Sequence, residues 1–145
     1  MRALDVFIRD KDRRGLIRRA LLRYHKNKSE YMEGALVRVG IGQFHIEQLV
    51  KLKLTKADSG EVTYDDDDFN AKRAAAEANG LKLITIHSHV YRDSSCSRED
   101  HTTGVEYGEV LAGVIGIWDE KDHARTALDF WVPQLPAKVN IVKSN

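Results

Sequence analysis

Residues 84–104 read ITIHSHVYRDSSCSREDHTTG, and the rest of the chain is interpreted around this segment. Its first residues are β-branched or apolar and continue the alternation that starts at Leu81, which predicts a strand. Side chains of an extended chain repeat every two residues, so His87 and His89 leave the same face of that strand. Because imidazole is the commonest metal ligand in proteins, the pair predicts a metal site.

A polar loop follows the strand and leads to Ser97 and Asp100. Asp100 is the candidate third ligand. Two histidines, one carboxylate and an open fourth position form the ligand set of a catalytic zinc site. Ser97 with an acid three residues later is also typical of a helix N-cap, and capping is compatible with ligation.

The combined spacing, HxH followed after seven residues by SxxD, resembles the JAMM (MPN+) metalloproteases. The family pattern adds an upstream glutamate near the start of a glycine-containing apolar strand. Glu33 is the match, because it lies seven residues before Gly40, and Glu30 is its rival. The resemblance implies one Zn²⁺ per chain held by His87, His89 and Asp100. Glu33 would be the general base, and Ser97 the donor to the oxyanion.

The resemblance further implies hydrolysis of an amide bond after the carboxyl-terminal tail of a ubiquitin-like protein. The substrate would be that protein or its conjugate, and the short chain is similar to prokaryotic or phage members. Processing of a sulfur-carrier protein or a phage tail component is an alternative, as is a scaffold that binds proteins without catalysis. Val90 and Cys96 stand where many members have proline. Whether Cys96 or His101 influences the zinc stays open.

Length and composition are ordinary for a single domain spanning residues 1–145. The formal charge of +1 gives no reason to expect nucleic acid or a membrane as a partner. Cys96 is the only cysteine, and no long apolar run or leader is evident. We therefore expect a cytoplasmic protein. The oligomeric state is left open.

The order of elements predicts an α+β fold with a mixed central sheet flanked by helices. One helix carries an apolar stripe from Leu16 to Tyr24, and a second carries alanines from Ala71 to Ala78. The JAMM family's fold is such an α-β-α sandwich, of the cytidine-deaminase-like kind. The two helical stripes argue against an all-β barrel, such as a small barrel oxygenase.

Overall fold

The computed structural model describes residues 4–95, 97, 100, 103–104, 106, 108–135 and 137–144. Within these residues the chain forms two helices and nine strands. The elements follow one another as β1 (Asp5–Arg9), α1 (Asp10–Asn27), β2 (Met32–Gly40), β3 (Gln43–Val50), β4 (Leu54–Ala57), β5 (Val62–Tyr64), α2 (Asp66–Ala78), β6 (Lys82–Val90), β7 (Ala112–Glu120), β8 (His123–Val132) and β9 (Ala137–Ser144).

Seven strands form a closed barrel in the order β1-β3-β2-β6-β7-β8-β9. Parallel pairing of β1 with β9 closes it, and β1–β3 and β6–β7 are the other parallel pairs. β4 and β5 form a separate two-stranded sheet.

The predicted α-β-α sandwich is wrong, because the sheet closes on itself instead of remaining an open layer between helices. The two predicted helices are present, so the chain is not an all-β barrel, but they pack against a sheet that is closed. The pairing that closes the barrel joins strands from opposite ends of the described chain. Local periodicity carries no information about such a pairing.

Two apolar clusters lie on opposite faces of β2 and β6. On one face, α1 contributes Leu16, Ala20 and Tyr24 to the barrel core, which also contains Ile84 and Ile86. On the other face, α2 packs onto a smaller cluster around Met32, Leu52, Phe69, Ala76 and Leu83. The first cluster makes up most of the buried apolar surface and therefore most of the stability.

Side-chain capping and short strands define the ends of several elements. Asp65 caps α2 by accepting a bond from the Asp68 backbone N–H at 2.9 Å. β3 ends at Val50, and the β4–β5 hairpin follows it. Neither helix in the described chain has the length and apolar character needed to cross a membrane.

Candidate metal centre

The histidine pair lies on β6, one of the most buried strands of the barrel. Ile84, Ile86, Ser88 and Val90 face the barrel core, so the alternate positions Thr85, His87 and His89 share the opposite face. The Met32–His87 and Gly34–Thr85 pairs of the antiparallel β2–β6 ladder place β2 residues beside them. Directly opposed residues of such a ladder share a face, so even-numbered β2 residues lie on the histidine side.

Asp100 meets both histidines. Its two carboxylate oxygens lie 3.1 Å from His87 Nε2 and 3.0 Å from His89 Nε2, and the two Nε2 atoms are 3.1 Å apart. All three side chains are largely buried, with His89 only 5% exposed. His87, His89 and Asp100 therefore form a cluster that could hold a metal ion.

Ser97 fixes Asp100 through a reciprocal cap. The Asp100 backbone N–H donates to Ser97 Oγ at 3.0 Å, and the Ser97 backbone N–H donates to the Asp100 carboxylate at 3.1 Å. Asp100, Thr103, Gly104 and Glu106 have helical backbone, so this is the capping arrangement that the sequence indicated. The cap sets the direction of the Asp100 side chain toward the histidines.

The loop between His89 and Ser97 is anchored on the barrel wall. Ser94 Oγ donates to the Asp129 carboxylate, and Trp131 Nε1 donates to the Ser94 carbonyl at 3.0 Å. The loop crosses β7 at Gly116, where an added Cβ would lie 2.2 Å from the Asp93 carbonyl carbon. A side chain at Gly116 would therefore displace the segment that carries Asp100 to the histidines.

The members of the cluster shift one another's pKa values through hydrogen bonds and charge. Burial works to raise the pKa of Asp100, but hydrogen bonds and charge from His87 and His89 outweigh it and hold that pKa far below its usual range. Burial works to lower the pKa of His87, but the hydrogen bond and charge of Asp100 prevail and raise it. The lowered pKa favours the ionised form of Asp100, which is the form that binds a cation.

The cluster opens into a cavity of about 510 Å³. Ser97, Glu30 and Met32 line it beside the three cluster residues, and β5 borders it with Val62, Thr63 and Tyr64. A substrate can therefore enter this cavity and reach the cluster.

Glu33 lies on the other side of the sheet. Its β6 partner is Ile86, a core residue, and its carboxylate forms a two-pronged ion pair with Arg19 of α1 at 2.5 and 3.0 Å. The structure therefore does not bring Glu33 together with His87, His89 and Asp100. Its role as general base stays a prediction that this position does not favour.

Glu30 occupies the position that was expected of Glu33. It precedes β2 on the histidine side, is about 9% exposed and lines the cavity. Its backbone N–H donates to the Asp58 carbonyl at 2.7 Å, and the neighbouring Tyr31 exchanges two bonds of 2.8 Å with Ser88. Burial raises the pKa of Glu30, and the charges of His87 and His89 partly oppose this.

The sequence-based prediction also missed Glu109. Its carboxylate accepts a bond from Thr85 Oγ1 at 3.0 Å, and it lines the same cavity. Burial raises its pKa, and the Thr85 bond partly opposes this. No local pattern marks Glu109, because only the fold brings it to β6. Cys96 and His101 lie outside the described residues.

Sequence comparison does not place the chain in a family: no protein-family model matches it, and no curated protein does. Solved structures do match. Protein DSY2949 from Desulfitobacterium hafniense, a structural genomics target whose structure was determined in solution, is 13% identical with a TM-score of 0.63. The match covers 98% of this chain and 94% of that one. At this identity the likeness shows a shared fold and nothing further.

Proposed function

We propose that the protein is a zinc-dependent hydrolase of amide bonds in which Glu30 is the general base. The observation that carries the proposal is the convergence of His87 Nε2, His89 Nε2 and the Asp100 carboxylate within 3.1 Å at the floor of an open cavity. The motif resemblance to the JAMM metalloproteases points to the same chemistry.

The three donors fit zinc. With bonds of 2.0–2.1 Å, neighbouring ligand atoms of a tetrahedral ion are about 3.3 Å apart, close to the spacing in the cluster. Two imidazoles and one carboxylate are ligands that zinc accepts, and all three residues that would hold it line the cavity. When bound there, zinc would lower the pKa of a coordinated water toward about 7 and polarise a substrate carbonyl.

Glu30 is suited to move protons. Its buried carboxylate faces the cavity, and its raised pKa brings it closer to neutral pH, where a general base exchanges protons efficiently. In the proposed reaction, Glu30 accepts the proton of the attacking water and passes it to the leaving amine. Such a group typically accelerates a reaction by about 10²- to 10⁴-fold.

Ser97 contributes in two ways to the proposed reaction. Its cap holds Asp100 in the ligand position, and its hydroxyl donates to the carbonyl oxygen as negative charge develops. Loss of one such donor typically lowers kcat by about 10²- to 10³-fold.

The substrate we propose is the extended carboxyl-terminal tail of a ubiquitin-like protein. β5 pairs with β4 along one edge, and the three residues of β5 line the cavity. A tail lying along β5 would extend this small sheet by main-chain hydrogen bonds and pass the cluster. Sulfur-carrier proteins or a phage tail component with a similar tail belong to the same proposal.

The proposal is tested by measuring zinc content together with hydrolysis of a reporter amide fused to ubiquitin-like tails. We expect about one zinc per chain, lost in His89→Ala and Asp100→Ala. We expect Glu30→Gln to keep the zinc and lose at least about 100-fold in kcat. Glu33→Gln is the matched control, because it makes the same chemical change on the other face of the sheet.

Three results would overturn parts of the proposal. Folded protein that takes up no zinc when zinc is added excludes the metal centre and favours the scaffold alternative. Activity lost in Glu33→Gln and kept in Glu30→Gln returns the general base to Glu33. A zinc protein that cleaves none of the fusions excludes the proposed substrate class.

A further inference from the structure

We propose that Glu109 forms a binding site for a cationic side chain of the substrate, about two residues away from the scissile amide. This inference rests on the proposed function above and adds to it the chemical class of a neighbouring substrate residue. It assigns Glu109 a role in specificity; the proton transfers stay with Glu30.

The first observation is that Glu109 is built into the site. Thr85 Oγ1 donates to its Oε1 at 3.0 Å, and its backbone N–H donates to the Gly104 carbonyl at 2.9 Å. Thr85 and His87 are two residues apart on the same face of β6, a distance of about 7 Å. An extended substrate advances by about this distance over two residues, so a side chain about two residues from the scissile amide reaches the carboxylate.

The second observation is that no arginine or lysine of the described residues forms an ion pair with Glu109; the positive charge that acts on its carboxylate is that of His87. Arg73 and Lys82 line the adjoining cavity, and Glu77 pairs with both, at 3.4 and 3.8 Å. Arg92 is the one arginine or lysine among the described residues that line the cluster cavity. A substrate cation would give this partly buried carboxylate a directly hydrogen-bonded counter-ion.

The third observation is the position of Glu109 between two cavities. It lines both the cluster cavity and a second one of about 290 Å³, together with Tyr64 and Asp66. If the substrate backbone lies in the cluster cavity, a long side chain can therefore extend past Glu109 into the second cavity. The ammonium or guanidinium group at its end would lie between the Glu109 and Asp66 carboxylates.

The test is peptide binding to the full chain after zinc has been removed with a chelator. Two peptides are compared by NMR titration: acetyl-Gly-Gly-Lys-Gly-amide and the same peptide with norleucine, which keeps the carbon chain and lacks the ammonium. We expect the lysine peptide to bind about tenfold more tightly. Glu109→Gln should abolish the difference and keep the Thr85 bond through its amide oxygen. The preference should weaken between 20 and 200 mM salt.

Glu106→Gln is the control, because Glu106 is exposed and lines the same cavity. It should retain the preference for lysine. Equal affinity for the two peptides, binding of neither at millimolar concentration, or an undiminished preference in Glu109→Gln would each overturn the proposal. Because binding is measured without zinc, a lysine preference in a protein that hydrolyses nothing would contradict the proposed function and leave the cation site standing.

Discussion

At the scale of single residues, the Arg19–Glu33 pair gives a prediction about stability. Glu33 is 6% exposed and Arg19 is 43% exposed, so the pair is anchored by a buried carboxylate at the edge of the core. Glu33→Ala would leave the guanidinium without its partner and should lower the free energy of unfolding by about 1–3 kcal/mol. Urea unfolding measures this, with zinc uptake as a second readout that should not change.

The partly buried carboxyl of Glu109 predicts a dependence of stability on pH. Burial raises its pKa in the folded chain, so its contribution is complete below the ordinary glutamate pKa and is lost as pH rises through the raised value. In metal-free protein, Glu109→Gln should therefore gain stability relative to the unmodified chain as pH increases from about 4 to about 7. Unfolding in urea across this range measures it. A constant difference between the two proteins would contradict the prediction.

The residue scale also shows how far spacing can predict a site. His87, His89 and Asp100 were predicted because period-two alternation and a cap are local properties of the sequence. Which glutamate faces them depends on the register of β2 against β6, and a shift of one residue exchanges the two faces. Glu33 matched the family spacing, but the register places Glu30 on the histidine side.

At the scale of elements, the crossing of the 91–95 loop over β7 should be intolerant of a side chain. Gly116→Ala places a Cβ against the Asp93–Ser94 backbone and should cost about 1–3 kcal/mol of stability. It should also weaken zinc binding, because the loop leads to Ser97 and Asp100. Gly40→Ala is the control, since its Cβ would make ordinary contacts of 3.7 Å. Denaturant unfolding and zinc titration of both variants measure the effects.

The two helices were predictable from the sequence, whereas the short strands and their pairing were not. α1 and α2 follow from apolar stripes and acidic first turns. The β4–β5 hairpin consists of four- and three-residue strands that expose much of their surface. Strands this short show little alternation, so the hydrophobic pattern does not indicate them.

At the scale of the whole molecule, a bound metal should stabilise the entire barrel. The ligands come from β6 and from the capped segment after it, so the folded chain, which holds them within 3.1 Å of one another, binds the ion more tightly than the unfolded chain. Zinc at about 1,000 times its Kd should raise the free energy of unfolding by about 4 kcal/mol. Thermal unfolding with and without zinc measures this. An equal rise in Asp100→Ala would place the stabilising ion elsewhere.

The parallel pairing of β1 with β9 also has a consequence for how the chain reaches this structure. The barrel closes only when Asp5–Arg9 pairs with Asn140–Ser144. This pairing spans almost the whole described chain. Contacts of such long sequence separation form late and slow folding, whereas the hairpins β2–β3 and β7–β8 can form early. During synthesis, His87, His89 and Asp100 would therefore emerge from the ribosome well before closure. The nascent chain could bring its metal ligands together before β1 pairs with β9.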